Sequence, residues 1–120
     1  MGDRSITIIK SKNDAPVCGV YLHWGGQRTP DLIRRAAPLM RQGDPSYATA
    51  RLIGVFHVAT KDQGCTGLGV FAPPADLKPE TLKTYSHGDA GVFVVDLDTG
   101  EVSTFGGYGE PFGGLVFASE

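Results

Sequence analysis

The chain opens on a two-residue period. Arg4 to Lys10 (RSITIIK) sets β-branched residues in alternation, and after a polar turn over Lys12 to Pro16 the segment Val17 to Trp24 resumes an apolar strand pattern. Together they predict an N-terminal hairpin. On its second strand Cys18, Val20, Leu22 and Trp24 share one face, while Gly19, Tyr21 and His23 share the other. Trp24 is therefore expected in the core, with Tyr21 and His23 turned the opposite way.

The period then lengthens. Thr29-Pro30-Asp31 joins a capping residue, a proline at the first helical position and an acid in the first turn. It predicts a helix to about Gln42, kinked or split by Pro38 and stopped by Gly43. Asp44-Pro45 repeats the cap and proline, predicting a second helix to about Thr60. Along it Ala48, Leu52, Val55, Phe56 and Ala59 recur at helical spacing as a core stripe.

From Thr66 the strand pattern returns. Thr66 to Ala72 is closed by Pro73-Pro74, and Val92 to Leu97 is strongly apolar. Asp98-Thr99-Gly100 is a hairpin turn with glycine in the left-handed position, and Glu101 to Phe105 is the return strand. Beyond the run FGGYGEPFGG, Leu115 to Ala118 offers a short last strand. The order ββααβββ, with that optional addition, predicts an α+β fold: an antiparallel sheet with two helices packed on one face.

Composition narrows the class. A chain of 120 residues, 41% hydrophobic and 20% charged, is expected to form one globular domain over residues 1–120. Cys18 and Cys65 give neither a disulfide framework nor metal-ligand spacing, and Cys18 reads as a small buried hydrophobe. No apolar run reaches a membrane span, the first twenty residues lack a signal-peptide pattern, and Ile6 stands where a myristoylation motif needs Ser or Thr. A soluble cytoplasmic protein is expected.

Charge is uneven although the net is −2: residues 1–61 carry nine Lys/Arg against four Asp/Glu, and residues 62–120 carry two against nine. The near-neutral total disfavours direct nucleic-acid binding, and solvated helix faces account for the asymmetry as well as an acidic partner would.

Candidate chemistry gathers first at Tyr21-Leu22-His23-Trp24-Gly25-Gly26. An imidazole and the single tryptophan stand at a strand's mouth before two glycines that let backbone amides approach a ligand. The same residues also serve as a structural plug, with the indole filling the core. Cys65 would be a nucleophile only if the fold set it beside His23, His57 or His87. No Walker lysine and no strand-GxGxxG-helix unit is present, and no cofactor is expected. The second candidate is basic: Arg34, Arg35 and Arg41 on the first helix, with Arg28 before it and Arg51 on the next, suit phosphates or carboxylates or form an ordinary solvated face. Arg4, near the first strand's start, is expected to play a structural part, as in an ion pair with Asp44.

The start Met1-Gly2-Asp3-Arg4, the element Val20-Tyr21-Leu22-His23-Trp24-Gly25-Gly26, the helix Asp44-Pro45-Ser46-Tyr47 with Ala50-Arg51-Leu52-Ile53, and the strand Val94-Val95-Asp96-Leu97-Asp98-Thr99-Gly100 resemble a group of small phage and prophage proteins. That group has a GDR-type N-terminus, a YxHWGG-type element and a D-x-x-Y-x-x-x-R-type helix. The resemblance spans most of the chain, leaving out residues 72–90 and the tail after Phe105. It implies a mobile genetic element as context and, by association, a stoichiometric counter-defence inhibitor such as an anti-CRISPR. The expected partner is a host protein or ribonucleoprotein, with a homodimer through an exposed strand edge left open. The rival is a small hydrolase, or a sponge for a nucleotide signal, with its pocket around His23 and Trp24.

Overall fold

The computed structural model describes residues 4–11, 18–23, 26–61, 67–73, 78–85, 91–105 and 114–115. Their elements run β1 (Ser5–Lys10), β2 (Cys18–Leu22), α1 (Thr29–Ala36), α2 (Pro45–Thr60), β3 (Leu68–Phe71), α3 (Pro79–Tyr85), β4 (Gly91–Asp96) and β5 (Val102–Phe105). Short 3-10 turns at Gly26–Arg28 and Ala37–Leu39 flank α1. The fold is α+β, with one five-stranded sheet in the order β3-β2-β1-β4-β5.

Three of its pairs are antiparallel, as expected of the sheet. The central pair is not: β1 runs parallel to β4, from Ser5 opposite Gly91 to Lys10 opposite Asp96. The sheet is thus mixed. Both central strands read as buried runs because both faces are covered. On one face Ile9, Val20, Leu22, Phe93 and Val95 meet Leu32 and Ile33 of α1 and Leu52 and Phe56 of α2. On the other, Ile6, Ile8, Val92 and Val94 meet Leu82 of α3. The two expected helices do share one face, and α3, which the sequence pattern did not predict, covers the opposite one.

Helix boundaries follow local chemistry. Pro38 cannot donate an N–H, so α1 ends at Ala36, tightens into the 3-10 turn and stops where Met40 turns extended (φ −90°, ψ 145°), short of the expected Gln42. α2 keeps its predicted limits: the Asp44 carboxylate accepts the Tyr47 N–H at 3.4 Å and Pro45 occupies the first turn. Thr29, expected as a cap, lies inside α1, and Arg28 holds the cap position without a side-chain hydrogen bond. The Thr29 hydroxyl instead meets Ser5 Oγ at 2.6 Å in the buried layer between α1 and β1.

The β4–β5 turn is bound to the connection between the helices. Asp96 Oδ1 accepts the N–H groups of Asp98 (2.9 Å) and Thr99 (3.4 Å), and Gly100 supplies the left-handed residue (φ 80°). Gly43 N–H donates to Leu97 O at 2.9 Å, and Gln42 Nε2 to Asp98 O at 2.6 Å. The expected last strand is described only at Leu115, whose N–H donates to Gly100 O at 2.9 Å, and residues 116–118 lie outside the described set. Among the described residues, no helix is long and apolar enough to cross a membrane.

Candidate functional site

Described members of the two candidate groups fall on opposite faces of the sheet. Tyr21 packs with the cluster beneath α3, whereas α1 and its arginines belong to the other face. Tyr21 and the arginines of α1 therefore do not share one site.

At the end of β2, Tyr21 and His23 are brought together. Their rings are 6.1 Å apart and tilted by 47°, with the phenol oxygen 2.9 Å from His23 Nδ1. His23 N–H donates to Gly67 O at 3.1 Å, which fastens the end of β2 to the approach of β3. Gly67 is required there twice over. Its φ is +51°, and a Cβ on it would lie 2.6 Å from His23 Cβ. Next along the strands, the Phe71 ring lies over Gly19, where a Cβ would come within 2.5 Å of it. This corner joins a titratable ring to a phenol. Gly26 is buried at the start of the 3-10 turn, while Trp24 and Gly25 lie outside the described residues, as do Cys65 and His87.

The opposite face presents the arginines. Arg35 Nε meets Asp31 Oδ2 at 3.1 Å in an exposed i,i+4 pair, and Arg34 is exposed beside it. Arg41 and Arg51 lie over the ring of Tyr47, at 4.1 and 4.9 Å from its centroid. Arg28 is not part of this surface: its Nη1 donates to Ala59 O at 3.2 Å and ties the last turn of α2 to the start of α1.

Between the helices lies an open cleft of about 620 Å³, lined by Arg35 and Leu39 on one side and by Arg51, Gly54, Val55 and Val58 on the other. Leu39 is 51% exposed and Val58 63%. Ala48, Leu52 and Phe56 of the expected stripe are buried, but Val55 and Ala59 are half-buried and form part of the cleft wall. Sequence reasoning passed over this feature. Its signal was present: over sixteen residues α2 has one formal charge, Arg51, and a second row, Ala50, Gly54 and Val58, at four-residue spacing.

A smaller cavity of about 140 Å³ lies on the α3 face, where Lys10 Nζ is 3.9 Å from Asp96 Oδ2 and Glu101 and Ser103 contribute to the lining. Asp96 is committed there to the β4–β5 turn. Cys18 is half-buried, not fully buried as expected, and partial desolvation raises its thiol pKa above the ordinary 9.0. Among the described residues, no three His, Cys, Asp or Glu come together as metal ligands.

Set against protein-family models, curated proteins and solved structures, the chain matches none of them.

Proposed function

We propose that this chain is a binding protein that acts stoichiometrically on a protein partner, docking it in the cleft between α1 and α2. The observation that carries this reading is the outer flank of α2. A helix apolar on nearly every side is ordinarily enclosed, yet here Ala50, Gly54 and Val58 face outward beside an exposed Leu39. Covering such surface releases about 25 cal/mol per Å², so a partner that fills the cleft gains affinity from residues that add little to the fold. Charged side chains rim the apolar floor, the ordinary anatomy of a recognition surface. The setting that accompanies this proposal is a mobile genetic element, with a host defence protein or ribonucleoprotein as target, and it rests on the resemblance of the sequence alone.

The Tyr21–His23 pair favours the rival, a small-ligand pocket or hydrolytic centre at the end of β2, since the phenol holds the imidazole in one orientation. Affinity capture with the tagged chain, followed by native mass spectrometry, separates the two. A protein retained in simple stoichiometry, and lost from a Val58→Asp variant that still folds, is the expected result. A retained small molecule that disappears with His23→Ala, and no retained protein, would transfer the function to the rival site.

A further inference from the structure

Resting on the docking reading above, we propose that the occupant of the cleft is an acidic amphipathic helix of another protein. Three properties of the cleft select it. The first is hydrogen bonding. The walls are helices and a 3-10 turn, so the cleft has no strand edge to offer. An extended peptide would bury unpaired N–H and C=O groups against aliphatic side chains, whereas a helix satisfies its own.

The second property is shape. Ala50, Gly54 and Val58 form one ridge of α2, and nothing lies within 4 Å of the point where a Gly54 Cβ would be. The ridge therefore has a notch at its middle, of the size that receives a single side chain from a helix laid alongside.

The third is charge. Arg35 and Arg51 line the cleft with no carboxylate among the lining residues. Asp31, which pairs with Arg35, is 62% exposed, and such an exposed i,i+4 pair is weak enough for Arg35 to turn to a partner's carboxylate. Carboxylates on both flanks of an incoming helix match this arrangement. A second copy of the chain matches it less well, because each copy would bring Arg35 and Arg51 to the contact against the single neighbouring carboxylate of Asp31. A nucleic acid would leave the aliphatic floor unused, since base stacking needs aromatic surface.

The test uses two fluorescein-labelled peptides of about 18 residues, five turns of helix. Both have the same Leu/Ala face, one with Glu and the other with Lys along its flanks. Fluorescence anisotropy with the whole chain is expected to show the Glu peptide binding about tenfold tighter, with the preference inverted in Arg35→Glu/Arg51→Glu. Gly54→Leu fills the notch and is expected to abolish binding of both peptides. It also replaces a poor helix former at an open position, so an unchanged or higher Tm controls for folding. Methyl shifts from Val55 and Val58 are expected with the Glu peptide.

Equal affinity for the two peptides, a preference that survives charge reversal, or shifts that map elsewhere would each overturn the proposal. So would a dimer of the chain that Gly54→Leu dissociates, or a single-stranded oligonucleotide that outcompetes the Glu peptide. A captured protein that Val58→Asp releases, together with peptides that do not discriminate, would overturn the acidic-helix assignment while leaving the docking reading intact.

Discussion

At the scale of single residues, the structure places its strictest demands where two strands or layers touch. Gly67→Ala is expected to push His23 away, because both the positive φ and the 2.6 Å approach oppose a methyl group. The cost should be about 1–3 kcal/mol in urea denaturation, with loss of the Tyr21–His23 contact seen as changed ring chemical shifts of both residues by NMR. Thr29→Val leaves the buried Ser5 hydroxyl without its partner and should cost about 1–3 kcal/mol, part of which Ser5→Ala restores in the double variant. Cys18 gives a pH signature. Its folded state holds the proton longer than the unfolded chain, so the associated stability is present below the ordinary thiol value of 9.0 and is lost as pH rises through the raised one. The urea midpoint should fall between neutral and strongly alkaline pH more steeply in wild type than in Cys18→Ala, and equal slopes would refute this. Alternation alone placed Tyr21 and His23 together on one side of β2. It could not reveal Thr29's true role, because the hydroxyl's partner lies 24 positions away and a Thr-Pro pair reads as a cap on local grounds.

At the scale of elements, α2 was the most legible because every signal agreed: cap, proline, stripe and length. Phe56→Ala should cost about 3–5 kcal/mol and Asp44→Ala about 0.5–1, the low end reflecting a 3.4 Å hydrogen bond, with thermal denaturation as the readout for both. What the pattern hid in α2 was direction, not existence. A core stripe names the residues that face inward, and it does not say whether the remaining apolar row is covered. α3 left almost no trace, since it is only seven residues long and a single apolar anchor such as Leu82, which is buried, is too little to establish a period. The cationic cradle of Tyr47 was half visible: Tyr47 and Arg51 are one helical turn apart, but Arg41 reaches the ring across the connection between the helices, which no spacing rule describes.

At the scale of the whole molecule, the sheet divides two surfaces of different chemistry, with the arginine-rimmed cleft on one face and the Tyr21–His23 corner beneath the other. Changes on one should not disturb the other, and paired variants such as His23→Ala with Val58→Asp are expected to be additive in unfolding free energy, measured by urea denaturation, within about 0.5 kcal/mol. Strand direction was the largest thing the pattern could not give, because parallel and antiparallel strands share the same side-chain period. The buried run of Val92 to Val95 does mark a strand covered on both faces, but not which neighbour it takes. That neighbour has a consequence in time. Ser5 must meet Gly91 and Lys10 must meet Asp96 before the sheet has a centre, so both large helices and two strands are synthesised while β1 waits with an open side. Loop closure of that span precedes any reward from pairing, which favours a slow, late, all-or-none folding step. A chain cut just before Gly91 should show no cooperative unfolding transition and should aggregate through Ile6, Ile8 and Ile9, while the full chain refolds as a single unit.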